Sequence, residues 1–156
     1  MINRSRTTIG ALVLSASALV GIALHEGYSD EAIIPVPGDV PTIGFGTTQG
    51  VKPGDRITPP KALKRALSDI QKYEGAIKQC VKVPLYQYEY DAYTSLAYNI
   101  GPTAFCKSSI VTALNAEQYD EACKKILMFD KFKGKPLKGL TIRRQAEYKQ
   151  CIGEPT

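Results

Sequence analysis

The chain of 156 residues has a single histidine, His25, and no Gly-x-Ser-x-Gly motif. It therefore lacks the parts of a histidine-assisted nucleophilic triad. Its four cysteines form no Cys-x-x-Cys pair, and one imidazole does not complete a zinc site, so no metal is expected. No glycine-rich loop runs into Gly-Lys-Ser/Thr, which removes the usual phosphate cradle, and no cofactor is expected. A long basic block is also missing. The 20 Lys and Arg against 15 Asp and Glu give a formal charge of +5, but they are spread along the chain. That balance favours anionic partners. Spread in this way, it points to steering toward a polyanion such as bacterial wall rather than to a nucleic-acid site, with an ordinary solvated surface as the plain alternative. No repeat or low-complexity tract is present. The length suits one domain with its own core, expected to act as a monomer.

What is present begins at the N-terminus. Arg4 and Arg6 precede 18 uncharged residues, Thr7 to Leu24, close to the minimum for a membrane span. The stretch is poor in large side chains, with Gly10, Gly21, Ser15, Ser17, Ala11, Ala16, Ala18 and Ala23. The two arginines would keep the N-terminus cytoplasmic and leave the rest outside. Three readings of residues 1–24 stay open: a cleaved signal peptide, since Ala16-Ser17-Ala18 resembles a cleavage site; a permanent anchor; and an anchor that can leave the bilayer. Residues 25–156 form the remaining domain. Export to an oxidising compartment favours disulfides over free thiols for Cys80, Cys106, Cys123 and Cys151, and four cysteines allow three pairings.

Past Leu24 the pattern changes. Any helix carried on from the apolar stretch ends near Gly27. Apolar β-formers then flank Pro37-Gly38-Asp39, a turn signal, and predict a hairpin of residues 33–36 against 42–45. The prolines imply short strands, and Gly44 and Gly46 imply close approach of backbone to a strand or a ligand. Thr58-Pro59-Pro60 opens an amphipathic helix running to about Lys78. Further helices are expected over residues 87–99, from Ser108 or Ser109 to Leu114, over 116–129 and over 141–151, with a Gly/Lys loop at 133–139. The fold class is α+β, a small hairpin lobe followed by a mostly helical lobe. The tyrosines from Tyr73 to Tyr148 sit at helical spacing, as core or groove residues do, rather than as a platform for RNA bases.

With triads and metals excluded, carboxylate chemistry remains, and glycoside hydrolysis is its commonest form. Glu26, between an apolar helix and a hairpin, is the attractive acid, with Asp30, Glu31 and Asp39 nearby. Taken alone, a glutamate before a turn is usually a solvated surface residue.

Three stretches add to this. Glu26-Gly27 followed by Pro41-Thr42-Ile43-Gly44-Phe45-Gly46-Thr47 resembles the active-site signature of phage-type lysozymes, the endolysins of glycoside hydrolase family 24. Gln87-Tyr88-Glu89-Tyr90-Asp91-Ala92 with Leu96-Ala97-Tyr98-Asn99-Ile100-Gly101 is similar to the family's central helix. Gly139-Leu140 with Arg143-Arg144-Gln145-Ala146-Glu147 resembles its C-terminal helix. The resemblance implies a lysozyme-like fold with the active site between two lobes. It implies inverting cleavage of the β-1,4 bond between N-acetylmuramic acid and N-acetylglucosamine in peptidoglycan, and so host lysis. Glu26 would be the general acid and Thr42 would position the attacking water. Arg143 or Arg144 would pair with Glu26, an exposed basic helix face being the alternative.

The sequence departs from the family at the catalytic aspartate. The position six residues before Thr42 is Val36, and the interval from Glu26 to Thr42 is one residue longer than usual. Asp39 is the natural substitute and Asp30 the second choice. Some members carry a signal-anchor-release segment, exported and tethered inactive, then freed on depolarisation; residues 7–24 resemble it. On that reading the protein passes from the host inner membrane to the periplasm, and residues 10–26 refold on release into a helix that carries Glu26 into place. No cysteine lies in residues 1–24, so thiol exchange with the anchor is not expected. The expected disulfides are Cys80–Cys106 and Cys123–Cys151, joining neighbouring helices. A non-catalytic peptidoglycan-binding module that keeps the fold is the alternative, followed by a membrane-anchored interaction protein.

Overall fold

The computed structural model describes residues 5–155, so Arg4 and the start of the 1–24 segment lie outside the described residues. The chain divides into two compact units, Leu19–Lys72 on the one hand and Met1–Ala18 with Tyr73–Thr156 on the other.

The smaller unit holds most of helix α1 (Ala16–Glu26), strands β1 (Ser29–Ile33) and β2 (Thr42–Gly44), and the first part of α2 (Pro59–Cys80). α1 ends where expected. Gly27 takes φ +70, a conformation open to glycine at little cost, and its N–H closes the last turn on the Ala23 carbonyl at 3.0 Å. β1 and β2 pair antiparallel, Ser29 opposite Gly44 and Ile33 opposite Thr42, with an irregularity between. The first strand thus lies earlier than residues 33–36. Pro35 and Pro37 lack the N–H a ladder needs and restrict the residues before them, so pairing stops at Ile33 and residues 34–41 become the connection. On its other edge β1 takes backbone bonds from the segment before α2, Ile57 N–H to Asp30 O at 2.9 Å and Ala32 N–H to Asp55 O at 2.9 Å.

The larger unit is helical. α3 (Gln87–Ile100) is buried along nearly its whole length and packs on α7 (Lys138–Cys151). α4 (Pro102–Cys106), α5 (Ser109–Asn115) and α6 (Tyr119–Lys125) complete it, with a minimal hairpin whose first strand, β3 (Lys131–Phe132), precedes the expected 133–139 loop and whose second, β4 (Lys135–Pro136), falls within it. The core gathers Ile77, Leu85, Tyr93, Leu96, Phe105, Ile110, Leu114 and Ile126. The single helix expected over 116–129 is broken, because Glu117 sits at φ +59 and α6 starts only at Tyr119, ending in a 3-10 turn at Ile126–Met128. Cys80–Cys106 ties α2 to α4 and Cys123–Cys151 ties α6 to α7, each with Cα atoms 5.7 Å apart, in the expected pairing.

Residues 5–18 belong to this unit, and Ile9 and Leu12 enter its core. The helix expected over residues 10–26 forms only from Ala16. Ile9–Ala11 is one 3-10 turn and Leu12 is extended. The N–H groups of Leu14 and Ser15 bond to the carboxylates of Glu74 and Asp91, which withdraws them from any helical ladder. Among the described residues no helix is long and apolar enough to cross a membrane.

Candidate active site

Glu26 is the last residue of α1, and β2 leads into a tight loop facing it. Ile43 and Thr47 exchange backbone bonds, N–H to O at 2.9 and 3.1 Å, and enclose Gly44-Phe45-Gly46. A methyl group on Gly46 would lie 2.9 Å from Glu26 Oε2 and 3.3 Å from its Cδ. The Glu26 carboxyl therefore rests on bare backbone. Gly44 serves a different approach, since a methyl there would lie 2.8 Å from the Ala62 Cβ on α2. Both glycines have positive φ, +64 and +86. The loop is pinned on each side. The buried Thr47 hydroxyl donates to Asp69 Oδ2 on α2 at 2.9 Å. Tyr28 packs on Phe45, centroids 5.3 Å apart, and donates its hydroxyl to the Ile57 carbonyl at 2.9 Å.

Thr42 and Asp39 meet around Val40. The Asp39 Oδ1 accepts the Val40 N–H at 2.8 Å, and the Thr42 hydroxyl donates to the Val40 carbonyl at 3.3 Å. Asp39 itself closes the turn, its N–H bonding to Val36 O at 3.0 Å. Asp39 is exposed, and Thr42 is half-buried. Asp30 lies elsewhere on the hairpin. It lines an open cavity of about 300 Å³ with Arg56, Ile57, Thr58 and Lys61.

In the larger unit Arg143 and Arg144 are buried, not an exposed basic face. They share Glu147: Arg143 Nε lies 3.2 Å from Oε1 and Arg144 Nε 2.8 Å from Oε2. The Ser95 hydroxyl of α3 donates to Oε1 at 2.7 Å. Burial pushes the Glu147 carboxyl above its ordinary value, against the downward pull of Arg144, Arg143 and the Ser95 hydroxyl. Glu147 and Ser95 were not among the site residues expected from sequence. The 143/147 and 144/147 spacings put the three side chains on one helix face, which was the available signal.

The family model for phage lysozyme matches residues 23–147, from just before Glu26 to Glu147 itself. The chain belongs to the phage lysozyme family. It is a lysozyme, a muramidase acting on peptidoglycan, of α+β lysozyme-like fold. It is similar to the SAR-endolysin of Pseudomonas phage phiKMV, 38% identical over 145 residues, covering 90% of this chain and 89% of the relative. Among solved structures it resembles an endolysin from Escherichia coli O157:H7 phage FAHEc1, with a TM-score of 0.81 and 32% identity over 94% of this chain and 99% of that one. It also resembles the active form of the P1 phage endolysin Lyz, with a TM-score of 0.78 and 27% identity over 92% of this chain and 86% of that one. Within this phage lysozyme, Glu26, Asp30, Asp39 and Thr42 all stand on the α1–hairpin segment, with Asp30 lining a cavity beside Arg56 and Lys61.

Proposed function

We propose that this lysozyme cleaves the β-1,4 bond between N-acetylmuramic acid and N-acetylglucosamine by single displacement, with Glu26 as general acid. Glu26 gives its proton to the leaving glycosidic oxygen. Asp39 takes a proton from the attacking water, which the Thr42 hydroxyl orients on the opposite face of the sugar. Inversion requires room for that water between the two carboxyls. The observation that carries this reading is the Glu26 carboxyl lying against Gly46, in the hairpin that also bears Thr42 and Asp39. Asp39 is preferred to Asp30 because it shares Val40 with Thr42, whereas Asp30 lines the cavity beside Arg56 and Lys61. Arg143 and Arg144, fixed by Glu147, take a supporting role as buried cations. Peptidoglycan lysis by the purified protein tests the assignment. Glu26→Gln is expected to lose lysis by about three orders of magnitude or more and Asp39→Asn by about two, with Asp30→Asn near wild type. Equal clearing by wild type and Glu26→Gln overturns the mechanism, and loss at Asp30 with Asp39→Asn intact moves the base.

We infer further that residues 7–24 act as a releasable anchor, tethering the monomer to the host inner membrane before it works in the periplasm. The 18 uncharged residues and the likeness to a SAR-endolysin support this. Fractionation before and after collapse of the membrane potential is expected to move the intact chain from membrane to soluble fraction. A shortened product, or protein soluble throughout, overturns it.

A further inference from the structure

Three buried carboxylates of the larger unit turn toward residues 6–15. Glu89, 3% exposed, accepts two bonds from Arg6, from Nε at 3.1 Å and Nη2 at 2.9 Å. The same guanidinium lies over the rings of Tyr119 and Tyr86, at 3.5 and 4.4 Å from their centroids. Asp91, 4% exposed, accepts the Ser15 N–H at 3.0 Å and the Ser15 hydroxyl at 2.7 Å. Glu74, 7% exposed, accepts the Leu14 N–H at 2.7 Å. Around these, Thr7 and Leu85 exchange backbone bonds at 2.8 and 2.9 Å, and Gln87 donates to the Val13 carbonyl at 2.8 Å. Each carboxylate also has a neutral donor within the unit: the Tyr90 hydroxyl for Glu74, the Tyr86 N–H for Glu89 and the Gln87 amide for Asp91. A buried carboxylate held by neutral donors alone is costly, and Arg6 is the cation that meets Glu89 in this structure.

We propose that Glu74, Glu89 and Asp91 form a receiving site for residues 6–15 of the same chain, with Arg6 in its Tyr86–Glu89–Tyr119 box as the latch. The inference rests on the releasable anchor, because residues 7–15 cannot occupy a bilayer and this site at once. While the chain is tethered the site is empty, and α3, which carries Glu89 and Asp91, lacks its partners. The core also lacks Ile9 and Leu12. The tethered enzyme is held inactive through its incomplete helical unit, and not only through the placement of Glu26.

Hydrogen–deuterium exchange on the full chain, inserted in phospholipid vesicles and free in solution, tests this, together with lysis by soluble variants. Amides of residues 86–93 are expected to exchange about tenfold faster or more in the tethered chain than in the released one. In solution Arg6→Ala is expected to raise exchange at the same amides and lower lysis several-fold. Arg6→Lys is expected to fall between, since lysine can pair with Glu89 but neither forks nor stacks as arginine does. Adding Glu89→Gln to Arg6→Ala is expected to cost little more than Arg6→Ala alone. If Glu89→Gln does not fold, the two Arg6 variants carry the test. Wild-type exchange and lysis in Arg6→Ala overturn the latch, and equal protection of residues 86–93 in tethered and free chains overturns the account of inactivity. A chain that never enters the vesicles overturns the anchor and that account with it, and the receiving site then stands or falls on the soluble variants.

Discussion

Gly46 is bare where any side chain would meet the Glu26 carboxyl. Its φ of +86 adds backbone strain to that collision, while Gly50, at φ +72, has open space around the position of a Cβ. Comparing the two alanine variants separates the causes. Each is expected to lose about 1 kcal/mol of stability from the left-handed backbone, but only Gly46→Ala is expected to lose lysis, by about tenfold or more. Melting curves and a turbidity assay read both, and equal lytic loss in the two would mean strain alone is responsible. The Gly46 approach was legible in sequence as a glycine beside a turn, although its partner was not. Glu147 was not legible as a site residue, because an arginine–glutamate spacing of three or four reads the same on a solvated helix face as on a buried one. Burial there depends on Ser95, 52 residues away, which bonds to Glu147. Glu147→Gln removes the anion that two buried guanidiniums share and is expected to cost about 3 kcal/mol or more in chemical unfolding; a cost under about 1 kcal/mol would mean that Glu147 is not what holds them.

At the scale of elements, periodicity located α2, α3 and the last helix to within a few residues, because each carries its own apolar stripe or caps. It set the first strand at residues 33–36 instead of Ser29–Ile33, because Pro35 and Pro37 end the ladder just past Ile33, and it merged α6 with the residues before it, where a left-handed Glu117 makes the break. The break is a local cap on α5, with the Glu117 N–H on the Leu114 carbonyl at 2.8 Å and the Gln118 N–H on the Ala113 carbonyl at 2.9 Å, but glutamate stands where glycine would have announced it. The two disulfides differ in burial. Cys123 and Cys151 are buried, whereas Cys80 and Cys106 are half-buried beside a cavity of about 320 Å³ lined by Ala76, Gln79, Pro102, Thr103 and Lys107. Mild reduction of the folded protein is expected to free Cys80 and Cys106 first, as shown by alkylation and peptide mapping; early labelling of Cys123 would contradict this. With loops of 26 and 28 residues, each bridge is expected to contribute about 3 kcal/mol.

Across the whole molecule, the larger unit is built from both ends of the chain, and its first residues are the least orthodox part. In sequence they read as a membrane segment, since uncharged side chains suit a bilayer and a protein interior alike. The carboxylates that receive them lie 60 to 83 positions away, and nothing local announces the match. Leu12→Ala is expected to cost the soluble protein about 2–4 kcal/mol, as for any truncated core leucine, and a melting curve unchanged from wild type would show that the stretch is not part of the working core. The seating of Arg6 also has an electrical side. In the proposed tethered topology its guanidinium faces the cytoplasm, yet its partner Glu89 belongs to the exported body. To close the contact, a unit positive charge has to travel outward through the whole voltage drop of an energised membrane, negative inside, doing work of about 2.3 kcal/mol for every 100 mV. The contact with Glu89 therefore pulls against the field that keeps the arginine inside, and a host that loses its potential removes the opposing force on the residue that fastens the enzyme together.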